Sequence, residues 1–331
     1  MKCLKKQITI PVILSLLLFP LLSGCNVNQD PVSKTGFYFD TVISITLYDQ
    51  SKEALIDDAF QECDRYEHLL SRTLEGSDIW NINHSQGNPV TVAPETASLI
   101  STSLSYCDIT NGAIDITLAP LSDLWNFSSD APKHIPVDDA VKNCLKNVDY
   151  HAVTVSGNTV TLSNPNAAID LGFIAKGYIA DQLKTYLLAH GVTSGIINLG
   201  GNVLTIGDKP DHSTYQIGIQ KPFDSRNTPI VTVPVSDSSM VSSGVYERYF
   251  EENGKLYHHI LDPFTGYPYE NHLLGVSILS HTSVEGDGLS TSCFVLGLDK
   301  GMELIESLDH VEALFITDDY ELHYSSGFPQ P

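Results

Sequence analysis

Tyr257–Pro268 reads Tyr-His-His-Ile-Leu-Asp-Pro-Phe-Thr-Gly-Tyr-Pro, and it is the stretch most able to do chemistry. Alternation along a short apolar strand turns His259 outward and His258 to the opposite face. Asp262-Pro263 and Thr265-Gly266 then force a turn whose polar side chains face back toward His259. That arrangement holds a group titrating near neutrality at the lip of a fixed turn, where Asp262 either orients the imidazole or shapes the turn. A surface hairpin that merely contains histidines would read the same way.

Four further segments combine glycine with polar residues at element junctions, where backbone can approach a ligand. In Thr110–Thr117 a helix stop at Asn111-Gly112 accounts for the glycine but leaves Asp115 and Thr117 without a reason. In Asp170–Tyr178, Asp170 ends an apolar stretch, Gly172 permits close approach, and Lys176 falls in the first turn of a helix. A lysine there opposes the helix dipole unless an anion sits nearby, so the segment reads as a phosphate site or as a solvated lysine. It is neither a P-loop nor a dinucleotide fingerprint. Asn198–Asn202 has the composition of a tight turn and would serve in a plain hairpin. In Glu285–Thr291, Asp287 and Thr291 are four apart and so share a helix face, where a carboxylate and a hydroxyl can hold a hard cation such as Mg²⁺. The competing role for Asp287 is to cap that helix.

The elements that must position these groups are partly readable. Gly36–Tyr48 alternates with Ile43, Ile45 and Leu47 on one face, as a half-buried strand. Ser51 can cap a helix bearing Leu55, Ala59, Cys63, Tyr66 and Leu70, which runs into the polar segment Ser71–Ser77. A second helix starts at Pro94 and stops at Asn111-Gly112. Leu124–Pro136 reads as loop anchored by Trp125 and Phe127, and His151–Leu162 as a hairpin. Ala167–Leu171 reads as a short strand entering a helix that ends at His190-Gly191. Strands are expected at Ile196–Leu199, Tyr215–Gln220, Ile230–Val235, Gly275–Leu279 and Ala313–Thr317, and helices over about Asp287–Leu296 and Lys300–Leu308. Hairpins mix with single helices without steady βαβ alternation, which predicts one α+β domain over residues 36–331 with a mixed, largely antiparallel sheet.

With 331 residues, 42% hydrophobic and 18% charged, the chain can bury a sizeable core. Its start reads as an export leader over residues 1–24: Lys2, Lys5 and Lys6, the apolar run Ile8–Leu22, then Leu22-Ser23-Gly24-Cys25. The last four residues resemble a bacterial lipobox, which implies cleavage before Cys25, acylation of its sulfur, and a polar tether over residues 25–35 on an extracytoplasmic membrane face. Cys63, Cys107, Cys144 and Cys293 form no C-x-x-C pair and read as buried thiols. The formal charge of −22 repels phosphate backbones and makes nucleic acid an improbable partner. An anionic nucleotide can still bind where a metal ion or helix N-terminus offsets the charge.

Taken in order, the segments resemble the ApbE family, the FAD:protein FMN transferases. The resemblance runs through Phe39-Asp40-Thr41, Ser71–Asn83, Gly112–Asp115, Asp170–Gly177, Asn198–Asn202, Ser242-Ser243-Gly244, His259–Gly266 and Asp287–Thr291. Its most specific elements are Asp-Leu-Gly-x-Ile-Ala-Lys-Gly and His-Ile-x-Asp-Pro-x-Thr-Gly. What it implies is a Mg²⁺-dependent reaction in which FAD is split at its pyrophosphate. FMN passes to a threonine or serine hydroxyl of a target flavoprotein as a phosphoester, and AMP leaves. By position it implies that Phe39, Thr73, Ala113, Ile114, Asp115, Asp170, Lys176 and Leu261 contact FAD. Asp287, Thr291 and the Phe173 carbonyl would hold the metal, and His259, with Asp262, would take the proton from the incoming hydroxyl. Where many relatives place an aromatic residue to stack on the flavin this chain has Thr73, so stacking must come from Phe39 or Tyr38. The same residues would also serve an FAD pyrophosphatase, with water as acceptor, or a flavin-binding lipoprotein without chemistry.

Overall fold

Alternation of Val42, Ser44 and Thr46 with Ile43, Ile45 and Leu47 gives a strand with one dry face, and the last three side chains are fully buried. Each such burial is worth about 1.5–3 kcal/mol, enough to fix the register of everything paired to that strand. The computed structural model describes residues 30–127, 132–225 and 228–329. The leader over residues 1–24 and Cys25, both within residues 1–29, lie outside the described residues.

The expected single strand over Gly36–Tyr48 is instead a hairpin of β1 (Val32–Tyr38) and β2 (Thr41–Leu47). Phe39 and Asp40 form its two-residue turn, both with positive φ (55° and 56°), as the strand twist requires. β1 also takes in residues 32–35 of the expected tether.

After a 3₁₀ turn capped by Asp49, α1 (Ala54–Leu70) buries Ile56, Ala59, Cys63, Tyr66 and Leu70. Then come α2 (Asp78–Asn83), capped by Ser77, β3 (Val90–Thr91) and α3 (Pro94–Ile109). α3 ends as read: Asn111 takes φ 51° and Gly112 donates its N–H to the Cys107 carbonyl (2.8 Å). α4 (Ala119–Trp125) reaches only the first two residues of the stretch expected to be loop, whose other described residues, 126–127 and 132–136, are irregular, and α5 (Asp138–Leu145) follows. Trp125 and Phe127 are anchors, packed with Phe250, Val141 and Leu261 in a small second core.

β4 (Val153–Ser156) and β5 (Thr159–Leu162) make the expected hairpin, with β3 on the far side of β5. Ala167–Leu171 is not a strand; it makes one isolated parallel bridge, Ala168 to Leu118, because the chain must turn at once into α6 (Ala175–Ala189). The rest comprises β6 (Gly195–Leu199), β7 (Asn202–Ile206), β8 (Tyr215–Gln220), β9 (Pro229–Val235), β10 (Ser239–Gly244), β11 (Tyr249–Glu252), β12 (Lys255–His258), β13 (Leu273–Ser280), α7 (Ser283–Glu306), β14 (Glu312–Thr317) and β15 (Leu322–Tyr324). The two helices expected after residue 286 are both present within α7, divided at Gly297, whose φ of 78° and ψ of 174° are not helical; the first of them starts earlier than expected, at Ser283.

The main sheet runs β1-β2-β6-β7-β10-β13-β14-β15, and the strand pairs among the described residues are antiparallel. This is the α+β architecture with a largely antiparallel sheet that the sequence implies. α6 and α7 pack together against the middle of the sheet, and α1 packs on α6. Cys63, Cys107, Cys144 and Cys293 are free thiols, the first two and the last buried. Among the described residues no helix is long and apolar enough to cross a membrane.

Candidate active site

The site is built where α6 begins against the second turn of α7. Asp170 accepts the Gly172 N–H on Oδ1 (2.8 Å), closing a turn that aims α6, and Lys176 reaches back to donate to the Gly172 carbonyl (3.2 Å). Across the helix pair, Asp181 of α6 accepts the N–H groups of Ser283 and Val284 (2.8 and 2.9 Å), satisfying donors that a helix start leaves open. α7 therefore begins four residues before Asp287, which rules out the reading of Asp287 as its cap.

Gly177 sets the spacing of the two helices. A Cβ there would lie 2.2 Å from the Ser283 carbonyl oxygen and 2.7 Å from Asp287 Cβ, so only glycine lets them approach this closely. Its N–H donates to Asp287 Oδ2 (2.8 Å) instead of back along α6 to Phe173. Among the described residues the Phe173 carbonyl accepts no backbone hydrogen bond.

Asp287 is 4% exposed, and burial raises its pKa against the opposing pull of Lys176, the Gly177 N–H and Asn202. Thr291, one turn on, lies 3.0 Å from Ser243 Oγ through its own hydroxyl. Asn202, the first residue of β7 after the tight turn at Gly200-Gly201, is 2% exposed and accepts from Ser283 Oγ, yet its amide nitrogen has no hydrogen-bond partner. A buried carboxylate, a hydroxyl and a freed carbonyl suit a hard, oxygen-seeking dication such as Mg²⁺, whereas the unpaired Asn202 N–H, a donor, suits an anionic oxygen beside it. No group of three His, Cys, Asp or Glu converges as a ligand set among the described residues, so the candidate set rests on one carboxylate.

β12 ends at His258, and the two histidines do opposite work. His258 is 4% exposed; its Nε2 donates to the Tyr269 carbonyl (2.9 Å) while Nδ1 faces the Ile260 N–H (3.3 Å). Both ring nitrogens are satisfied by a neutral imidazole, and burial pushes its pKa down to about 4. His259 is half-buried, with Nδ1 3.3 Å from the Arg248 carbonyl. A carbonyl can only accept, so Nδ1 carries the hydrogen and Nε2 keeps the lone pair that a base needs.

Crowding by protein, then the nearby charges of His258, Arg248 and Lys176, push the His259 pKa down to about 3, although part of the ring remains accessible. The near-neutral titration expected of it is thus corrected: the ring is neutral, hence base-competent, throughout the physiological range.

Asp262 shapes the turn and does not orient His259. Its Oδ1 accepts the Phe264 N–H (2.8 Å) and its Oδ2 the Thr265 hydroxyl (3.0 Å). Asp115, 7% exposed, is likewise spent on the Thr117 N–H and hydroxyl and the Tyr150 N–H (2.7, 2.6 and 2.9 Å). Ile114 and Leu261 are buried in the two cores. The side chains of Ile114 and Leu261 are therefore turned into the protein, while Asp115 holds its turn and lines a neighbouring cavity. The Ala113 carbonyl already accepts from Tyr269 Oη (2.9 Å).

Phe39 is half-buried beside Tyr38, its N–H held by Glu67 (2.9 Å), and Thr73 is exposed with its hydroxyl 3.2 Å from Ser71 Oγ. A cavity of ≈ 370 Å³ lies between Gly112, Asp115, Tyr150, His151, Pro263 and Phe264, on the flank of the His259 turn. Sequence reasoning missed Arg72, which binds Asp170 and Asp123, and Arg248, whose carbonyl fixes the His259 tautomer. Their partners are distant in sequence and left no local signal.

Residues 39–315 match the profile of the ApbE family. The chain belongs to the ApbE family. A Klebsiella pneumoniae protein named FAD:protein FMN transferase is 36% identical over 86% of this chain and 88% of its own length. One of the same name from Treponema pallidum is 32% identical over 89% and 87%. Among solved structures, the ApbE protein of Thermotoga maritima superposes with a TM-score of 0.84 at 28% identity, covering 91% of this chain and 100% of its own. The flavin transferase ApbE of Vibrio cholerae gives 0.80 at 27%, covering 90% and 98%. The family match spans every segment of the site, from the Phe39 turn to the second turn of α7.

Proposed function

We propose that this ApbE-family protein transfers the FMN half of FAD to a threonine or serine hydroxyl of a target flavoprotein, forming a phosphoester and releasing AMP. The observation that carries the reading is the helix junction at Gly177, where a carboxylate, Asp287, is buried with the Gly177 N–H on one oxygen, beside Lys176 and a freed carbonyl. Such a group fits the handling of a metal and a pyrophosphate and has no evident use in plain packing.

Asp287, Thr291 and the Phe173 carbonyl would hold Mg²⁺, which neutralises pyrophosphate charge when bound. Lys176, on the first turn of α6, and the N–H groups around it bind and orient the pyrophosphate. His259 Nε2 takes the proton of the acceptor hydroxyl as its oxygen attacks the FMN phosphorus and the bond to the AMP phosphate breaks. The leader and Cys25 would place this reaction at an extracytoplasmic membrane face, on a lipid tether.

The test is to incubate the protein with FAD, Mg²⁺ and a candidate acceptor domain and to inspect a denaturing gel for flavin fluorescence. A fluorescent acceptor band supports transfer. Free FMN and AMP without labelling would make the protein a pyrophosphatase, and intact FAD would make it a binding protein.

A further inference from the structure

Arg72 is a half-buried cation that the reaction scheme above does not use. Its Nη1 lies 2.6 Å from Asp123 Oδ1 on α4, and its Nε lies 3.0 Å from Asp170 Oδ2. Asp40, in the turn between β1 and β2, adds a third carboxylate within electrostatic reach. Burial alone would lower the Arg72 pKa, and Asp170 and Asp123 more than reverse it. The other oxygen of Asp170 accepts the Gly172 N–H, and the Gly172 carbonyl accepts from Lys176. One guanidinium thus fastens the turn from which the Phe173 carbonyl, Lys176 and the Gly177 N–H all project.

Lysine could not do this, since a point charge lacks the planar fork that meets two carboxylates from two directions. Removing the charge would leave Asp170, Asp123 and Asp40 without the cation they share, which repels an anionic substrate and frees the Asp170 turn.

We propose that Arg72 is a positioning residue for the anionic substrate: held between Asp123 and Asp170, it locks the Gly172 turn and with it the pyrophosphate-binding start of α6. This rests on the functional reading above. It assigns Arg72 no contact with the reacting atoms, so its loss should appear in substrate binding more than in chemistry.

The experiment measures KM for FAD, kcat and thermal stability for the full chain and for Arg72→Ala, Arg72→Lys, Asp170→Asn, Asp123→Asn and the double variant Arg72→Ala/Asp170→Asn. For a half-buried ion pair the expected rise in KM is about 10-fold for Arg72→Ala and Asp170→Asn, with kcat within about 3-fold. Because the two act as one clamp, the double variant should match the singles rather than show the ~100-fold of independent effects. Arg72→Lys should recover only part of the loss, and Asp123→Asn, which keeps the Asp170 contact, should cost less than about 3-fold.

Multiplying effects, or a loss of kcat at unchanged KM, would overturn the assignment. So would variants that melt earlier yet bind FAD as wild type does, since that is the mark of a brace for the fold alone. A wild-type protein that does not bind FAD overturns the functional reading first and this inference with it.

Discussion

Gly177→Ala isolates the contact on which the site depends. Alanine is ordinarily the better helix former by about 1 kcal/mol, so an unobstructed site would gain stability. Here the new methyl would meet the Ser283 carbonyl oxygen at 2.2 Å, where ordinary contact begins at 3.4 Å. The helices must therefore part by roughly 1 Å, which stretches the 2.8 Å bond from Gly177 N–H to Asp287 Oδ2 past useful length. Overpacking of this kind costs about 1–3 kcal/mol, and a buried carboxylate losing its donor adds about 1–3 kcal/mol.

Thermal unfolding should fall by several degrees, at ~2–4 °C per kcal/mol for a chain of this size. Mg²⁺ titrated calorimetrically into the protein without FAD should bind about 10-fold more weakly, since the displaced carboxylate is the charged candidate ligand. A melting temperature equal to or above wild type, with unchanged Mg²⁺ affinity, would refute the reasoning that Gly177 sets the geometry of Asp287.

Asp287→Asn should abolish Mg²⁺-dependent turnover and Mg²⁺ binding together; a variant that still needs the metal at near wild-type rate moves the metal elsewhere. Lys176→Ala should weaken FAD binding while leaving the melting temperature near wild type, and unchanged affinity by flavin fluorescence would return Lys176 to a solvated role. His259→Ala should lower transfer about 10²–10⁴-fold with FAD still bound, and the wild-type kcat/KM should stay flat from roughly pH 6 to 8 because the imidazole is already neutral there. A wild-type limb near neutrality that vanishes in the variant would show that the ring is not held neutral.

His258, with a folded pKa of about 4 against 6.5 unfolded, contributes stability that is full above pH 6.5 and is lost as pH falls through 4. The unfolded chain binds the proton first, which amounts to roughly 3 kcal/mol over that window. Asp115 and Asp287, whose pKa values are raised by burial, act in the opposite sense, so the comparison is with His258→Gln in urea melts across that range. A slope unchanged by the substitution would mean that His258 is not buried neutral.

Much of the site was legible because its motifs sit at element ends that composition marks. Asn111-Gly112 ended α3 and Gly200-Gly201 turned β6 into β7, as glycine and asparagine at such positions announce. The β1–β2 turn was not legible, since Phe39 and Asp40 hold positive φ without a glycine to signal it. The start of α7 was misplaced because its cap, Asp181, comes from another helix. Asp115 and Asp262 resembled ligand or catalytic carboxylates in sequence, and only their hydrogen bonds show them spent on turns. The His259 pKa was beyond reach for the same reason: it is set first by the protein packed around the ring and then by His258, Arg248 and Lys176, which the fold brings near.

The central claim is that FMN goes to a protein hydroxyl and not to water. Its most direct measurement is the ratio of AMP released to acceptor labelled, taken from one reaction by chromatography and by intact-mass analysis of the acceptor. The account predicts one AMP per acceptor gaining one FMN, and negligible AMP when the acceptor is omitted. AMP and free FMN accumulating equally with and without the acceptor would contradict it.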